Sequence, residues 1–301
     1  MPAVNVDVHQ HLWTDQFLEA LRRRTSPPNL TGWTLHLDGE PPYEVRPDDH
    51  DLALREAMLW DDGFDIGLVS LSAPLGIEWL PPDEAHPLLE AYHEGAGELP
   101  RHFASWAAAC LTELEPDRLA KELDAGCIGL QLPATALASP AALERCGPLL
   151  EVLQEHDRPL FVHPGAVGWT DGAQNAAWWP ALVPYVAQMH AAWYAFLLAG
   201  RELFPDLRVC FAMLAGLAPA HLERFAARGG ERRPVDRLVF LETSSYGVTA
   251  IDTIVRAVGV DAVVLGSDRP YAAPFNGDVG SALSHAIRSV NPQRLLGPKG
   301  I

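Results

Sequence analysis

The chain has 301 residues, 48% hydrophobic and 20% charged, with 22 Lys and Arg against 39 Asp and Glu and a formal net charge of −17. That length and apolar share supply a substantial core and argue against disordered regions, leaving one large α/β barrel or two smaller domains. The acidic balance argues against a nucleic-acid partner, because Arg22-Arg23-Arg24 and Arg232-Arg233 are too short to be more than solvated faces.

Near the start, Val4, Val6 and Val8 alternate with Asn5, Asp7, His9 and His11, a period of two that reads as a strand with both histidines on one face. At about 3.3 Å per residue their α-carbons lie roughly 6.6 Å apart, near enough for two imidazoles to share one ion. Gln16 to Arg24 reads as a helix stopped by Ser26-Pro27-Pro28. Trp33 to Leu37 and Tyr43 to Val45, joined by Asp38-Gly39-Glu40-Pro41-Pro42, read as a small hairpin inserted over one mouth of the fold.

From an amphipathic helix over Asp48 to Gly63 the pattern alternates. Strands are expected over Phe64 to Leu71, Phe103 to Leu111, Ile128 to Leu132, Pro159 to His163, Arg208 to Met213, Leu238 to Thr243 and Ala262 to Asp268. Helices are expected between and after them, over Pro82 to Glu98, Pro116 to Ala125, Pro140 to His156, Pro180 to Leu203, Pro219 to Ala227, Val248 to Val258 and Asp278 to Ser289. Eight βα units with mostly apolar strands predict a (β/α)8 barrel forming a single domain over residues 1–301. No GxGxxG turn follows a strand, which disfavours an open nucleotide-binding sheet.

The apolar run Met189 to Leu198 is broken by His190 and falls short of the roughly 20 residues a membrane span needs, and no signal core opens the chain. A cytoplasmic protein without a membrane partner is expected. Cys110, Cys127, Cys146 and Cys210 are widely spaced in apolar surroundings, which suits reduced, buried thiols.

In a parallel barrel the chemistry gathers where strands end. His9 and His11 end the first strand, His163 the fifth and Asp268 the eighth, so three imidazoles and a carboxylate point to one mouth. That donor set suits one divalent ion, zinc first, with iron or manganese as alternatives. The only lysines, Lys121 and Lys299, cannot be placed at the fourth strand's end, so a bimetallic site bridged by a carbamylated lysine is excluded.

These residues resemble the amidohydrolase superfamily, and within it the amidohydrolase-related branch that includes aminocarboxymuconate semialdehyde decarboxylase. The resemblance rests on VDVHQHLW, FDIGLVSLSAPLG, GCIGLQLP, PLFVHPG, FPDLRVCFA, VVLGSDRP and the closing NPQRLLG. It implies a distorted (β/α)8 TIM barrel with one zinc on His9, His11, His163 and Asp268, a small-molecule substrate and a homodimer. One departure matters: the family carries a sixth-strand histidine followed by two glycines, and here Met213 takes its place in Cys210-Phe211-Ala212-Met213-Leu214-Ala215. Since Val209, Phe211 and Met213 share a face of that expected strand, the thioether is expected to point into the barrel, where it cannot accept a proton.

Three outcomes follow from that loss. Asp268 acts alone as the base, His221 or Glu242 stands in, or the barrel binds a ligand without turning it over. Trp13 and Trp178-Trp179 could wall a pocket for a flat, conjugated molecule, and Arg269 could pair with a substrate carboxylate. The leading expectation is non-oxidative decarboxylation of a small unsaturated or aromatic carboxylate. The alternatives are hydrolysis of an amide or lactone by metal-bound hydroxide and a non-catalytic ligand-binding barrel.

Overall fold

The computed structural model describes residues 4–167, 176, 178–231, 234–298 and 300, so Arg232-Arg233 and Lys299 lie outside the described residues. Strand β1 (Val6–Gln10) is followed by an antiparallel sheet of β2 (Asn29–Thr31), β3 (Thr34–His36) and β4 (Tyr43–Glu44). Parallel strands follow: β5 (Ile66–Val69), β6 (Phe103–Ser105), β7 (Leu130–Pro133), β8 (Leu160–His163), β9 (Val209–Phe211), β10 (Val239–Glu242) and β11 (Val263–Val264). They form two arcs, β1-β5-β6 and β7 to β11 in order.

The arcs meet at both seams. Ala107 N–H donates to Gly129 and Gln131 N–H to Ala107, both at 2.8 Å, while Val8 N–H donates to Leu265 at 3.1 Å and Asp268 N–H to His9 at 2.9 Å. Eight parallel strands therefore ring the core as a distorted barrel, regular within each arc and held by isolated bridges between them. Leu160-Phe161-Val162 is fully buried, as a strand must be when one face meets the barrel interior and the other a helix.

Side-chain caps open two of the described α-helices. Asp51 accepts Leu54 N–H at 2.9 Å to open Leu52–Asp61, and Ser139 accepts Ala142 N–H at 3.2 Å to open Pro140–Arg145. The single helix expected from Pro140 to His156 is two, Pro140–Arg145 and Gly147–Glu155. Pro148 cannot donate to the carbonyl four residues back, so the turn around Cys146 breaks. The inserted hairpin gains a third strand, and its Leu30, Leu35 and Val45 join Phe17, Leu21, Leu88 and Tyr92 in a second core beside the barrel.

One helix is longer and more apolar than the run Met189 to Leu198 suggests. Trp179–Leu203, 25 residues with mean hydropathy 1.2, is by length and composition apolar enough to cross a membrane, and 28% of its most apolar window is buried. Its residues Met189, Ala192, Trp193 and Phe196 pack into the barrel core. The described arginines of the first basic cluster do not form an open patch: Arg22 meets Glu19 at 2.8 Å and Arg24 meets Glu84 at 2.8 Å. All four cysteines are free and buried.

Glu78, in the turn Ile77–Trp79, is 0% exposed and neither carboxylate oxygen has a hydrogen-bond partner among the described residues. Burial pushes its pKa from 4.5 up to about 8. The unfolded chain sheds this proton first, so the stabilisation is complete below the unfolded value and is lost as pH rises toward the folded one, at about 1.4 kcal/mol per pH unit. The urea midpoint of metal-free protein should fall between about pH 5 and 8, and Glu78→Gln should flatten that fall. Equal pH slopes for the two proteins would remove the buried carboxyl as the cause.

Candidate metal centre

The centre is assembled at the seam where β11 meets β1 and at the end of β8. The β1–β5 register slips between Asp7 and Gln10, and His9 and His11 both turn inward at 1% exposure. His163 closes β8 and Asp268 follows β11, its backbone in the left-handed region at φ 62. An aspartate tolerates that conformation better than most residues, and two seam hydrogen bonds hold it there: Asp268 N–H to the His9 carbonyl at 2.9 Å and Ser267 N–H to Asp7 Oδ1 at 2.9 Å.

Hydrogen bonds on the far side of each ring fix its tautomer. His11 Nδ1 lies 3.0 Å from the Ser70 carbonyl and His163 Nδ1 2.8 Å from the Pro164 carbonyl; a carbonyl only accepts, so both Nδ1 atoms carry the proton. His9 Nδ1 lies 3.1 Å from Glu242 Oε2, a carboxylate that already accepts from Met213 N–H and from the hydroxyl and amide of Ser244. All three Nε2 atoms are therefore bare acceptors.

Those acceptors converge. His9 and His11 Nε2 are 3.1 Å apart, and Asp268 Oδ1 lies 3.4 and 3.2 Å from them. The three ring centroids are 4.9 to 5.1 Å apart, and one ligand atom from each of the four residues falls within 4.8 Å of the others. Burial pushes His9 down to about 3 and His163 well below its ordinary range, so neither of these two rings takes a proton to relieve the crowding. Four facing acceptors fit a divalent cation.

A second His/Glu/Cys group, His93, Glu122 and Cys127, has ligand atoms equally close, but its hydrogen bonding argues against an ion. His93 Nε2 accepts Ala108 N–H at 3.1 Å, so its proton sits on Nδ1, the atom facing Glu122 at 3.7 Å.

The remaining expected site residues separate. Glu242 is 0% exposed behind His9, out of a substrate's reach, and acts on the ring it orients. Met213 does not continue the β9 alternation: Phe211 packs outward on Trp193 and Phe196, and the chain turns left-handed from Met213 to Leu217 at φ 49 to 66. Met213 meets this centre through its backbone N–H on Glu242, and its partly buried side chain packs against the main core. His221 is exposed, 5.4 Å from the His190 ring, and is not among the residues gathered at the centre.

Trp13, 3% exposed, stacks on His50 and donates its indole N–H to Ser72, so it belongs to the second core rather than to an open wall. Trp178 is 56% exposed beside Trp179. Arg269 is held by Asp62 through Nε and Nη2, both at 3.0 Å, so its guanidinium is engaged in an ion pair beside the centre.

The sequence reading missed Tyr271, whose ring lies 5.5 Å from His11, and Phe161, 5.0 Å from His9. Phe161 stood two residues before His163 on the same strand face, a signal available to period-two reading. Tyr271 had none, since it sits in a loop.

No family model matches the chain. Over 134 residues it is 28% identical to the 2-amino-3-carboxymuconate-6-semialdehyde decarboxylase of Caenorhabditis elegans, covering 40% of this chain and 33% of that protein. The matched stretch is thus a third of that relative's length. The apo structure of Metarhizium anisopliae IDCase superposes with a TM-score of 0.77 at 20% identity, covering 97% of both chains. A structure described as amidohydrolase II gives 0.73 at 18% identity over 97% of this chain and 99% of that one, so these chains share one barrel fold. The structure of 5-carboxyvanillate decarboxylase of Novosphingobium aromaticivorans with manganese and 4-hydroxy-3-methoxy-5-nitrobenzoic acid gives 0.71 at 15% identity over 98% of this chain and 96% of that one. The resemblance read from the strand-end motifs, to the aminocarboxymuconate semialdehyde decarboxylase branch, agrees with these matches.

Glu242→Gln removes the charge that holds His9 in the Nδ1–H tautomer. Affinity for one divalent ion, measured by competition with a chromophoric chelator, should fall about 10- to 100-fold. Unchanged affinity would mean that the ring needs no such support.

Proposed function

We propose that this chain is a metal-dependent carboxy-lyase that removes carbon dioxide without oxidation from a small unsaturated or aromatic carboxylate. The observation that carries the reading is the convergence of His9 Nε2, His11 Nε2, His163 and Asp268 Oδ1 with no donor between them. Similarity to decarboxylases in sequence and in fold supports the choice of reaction. In this reading a single barrel domain, free in the cytoplasm, holds one ion on these four residues, with zinc favoured by three imidazoles and manganese the alternative that the carboxyvanillate enzyme suggests.

When bound, the ion supplies Lewis-acid polarisation of substrate oxygen. The protein residues do the rest. Asp268 is the carboxylate at the mouth a substrate can reach: its side chain is 22% exposed, against 1% and 2% for His9 and His11. With Oδ1 turned to the imidazoles, Oδ2 is left to carry the proton. The carbon–carboxylate bond breaks, carbon dioxide leaves, the electron pair stays on the ring or vinyl carbon, and the proton from Asp268 or a water it orients fills that position.

Tyr271 beside His11, 49% exposed, gives the mouth an aromatic face for a flat substrate. Because Met213 brings no titratable group, the acid–base work falls on Asp268. That absence disfavours hydrolysis of an amide or lactone, which would need a second group to protonate the leaving atom.

Carbon dioxide release and ultraviolet absorbance over a panel of conjugated and hydroxylated aromatic acids test the reading. Turnover by the metal-loaded protein should drop at least about 100-fold in Asp268→Asn. Turnover surviving that substitution would assign the proton step elsewhere, and ring opening without carbon dioxide release would favour hydrolysis.

A further inference from the structure

Arg55 is a fully buried cation, 0% exposed, on the outer helix Leu52–Asp61. Its Nη1 donates to the His11 carbonyl at 2.5 Å and the Asp49 carbonyl at 3.0 Å, and its Nη2 to Gln10 Oε1 at 2.6 Å. Gln10 Nε2 in turn donates to Asp7 Oδ2 at 2.8 Å. Asp7 Oδ1 accepts the N–H groups of His9 at 3.2 Å and Ser267 at 2.9 Å. One guanidinium–amide–carboxylate chain thus touches the backbone of His9 and of His11 and the residue before Asp268.

It lies where the sheet stops defining geometry. The β1–β5 register slips between Asp7 and Gln10, so ladder hydrogen bonds alone do not set how far His9 and His11 reach inward. A planar fork with several fixed donor directions can hold a carbonyl and an amide oxygen together, which an ammonium on a flexible stem cannot. Resting on the metal-centre reading above, we infer that Arg55 is a positioning residue for that centre, fixing His11 directly and His9 and the Asp268 loop through Gln10 and Asp7.

The test is cobalt(II) added to metal-free protein, whose visible spectrum reports ligand number and geometry and whose affinity is read by chelator competition. Arg55→Lys and Arg55→Met should bind cobalt about 10- to 100-fold more weakly, with altered bands. Gln10→Met, which keeps Arg55 on the His11 carbonyl but cuts the link to Asp7, should show a smaller loss. Leu149→Ala, a core change at a 0% exposed position, should lower the melting temperature while leaving spectrum and affinity as in wild type.

Wild-type spectrum and affinity in the Arg55 variants would overturn the inference whatever their melting temperature. Should those variants not fold, wild-type behaviour of Gln10→Met would overturn it equally. A wild-type chain that binds no cobalt would instead defeat the metal centre itself, and this inference with it.

Discussion

The structure depends on a conflict of like groups. Three imidazoles have their Nδ1 protons engaged by the Ser70 carbonyl, the Pro164 carbonyl and the Glu242 carboxylate, so their Nε2 lone pairs face one another and Asp268. Buried acceptors without donors are among the most costly arrangements a core can hold. Burial opposes the simplest relief, protonation of a ring, and the fold keeps the group together through hydrogen bonds on the opposite side of each side chain. The layer behind the rings thus decides what the layer in front can bind.

That rear layer is spread across the whole barrel. Glu242 comes from β10, Ser70 from the end of β5, Asp7 from β1 and Ser267 from beyond β11, so the layer straddles the seam between β11 and β1. Distortion of the barrel is part of the arrangement. A register slip in β1, a left-handed Asp268 and a left-handed run from Met213 to Leu217 all lie around the centre, whereas β7, β8 and β9 pair regularly. Strain of this kind persists only where surrounding contacts over-determine it.

Met213 changes what the centre can do more than what it can bind. The left-handed turn still delivers a backbone N–H to Glu242, so the support for His9 is kept without a sixth-strand imidazole. In the proposed reaction, proton transfer then concentrates on Asp268, the one partly exposed carboxylate of the group. A reaction that needs one proton placed on carbon suits such a site better than one that needs separate acid and base groups.

Sequence alone determined the alternation of eight strands and helices and the four residues at the strand ends, because period-two and helical patterning are local and apolar residues record them directly. It misjudged what long-range contacts decide. Local sequence names no partner for Arg269, which Asp62, 207 positions away, takes, and the tautomer of His9 is set by Glu242, 233 positions away. The hand of the backbone after β9 was equally hidden, since Leu214, Ala215 and Leu217 carry no signal for positive φ and only the packed surroundings hold them there. Composition and spacing thus fixed which donors arrive at the mouth, while the direction each atom faces came from tertiary hydrogen bonds between segments that share no local sequence.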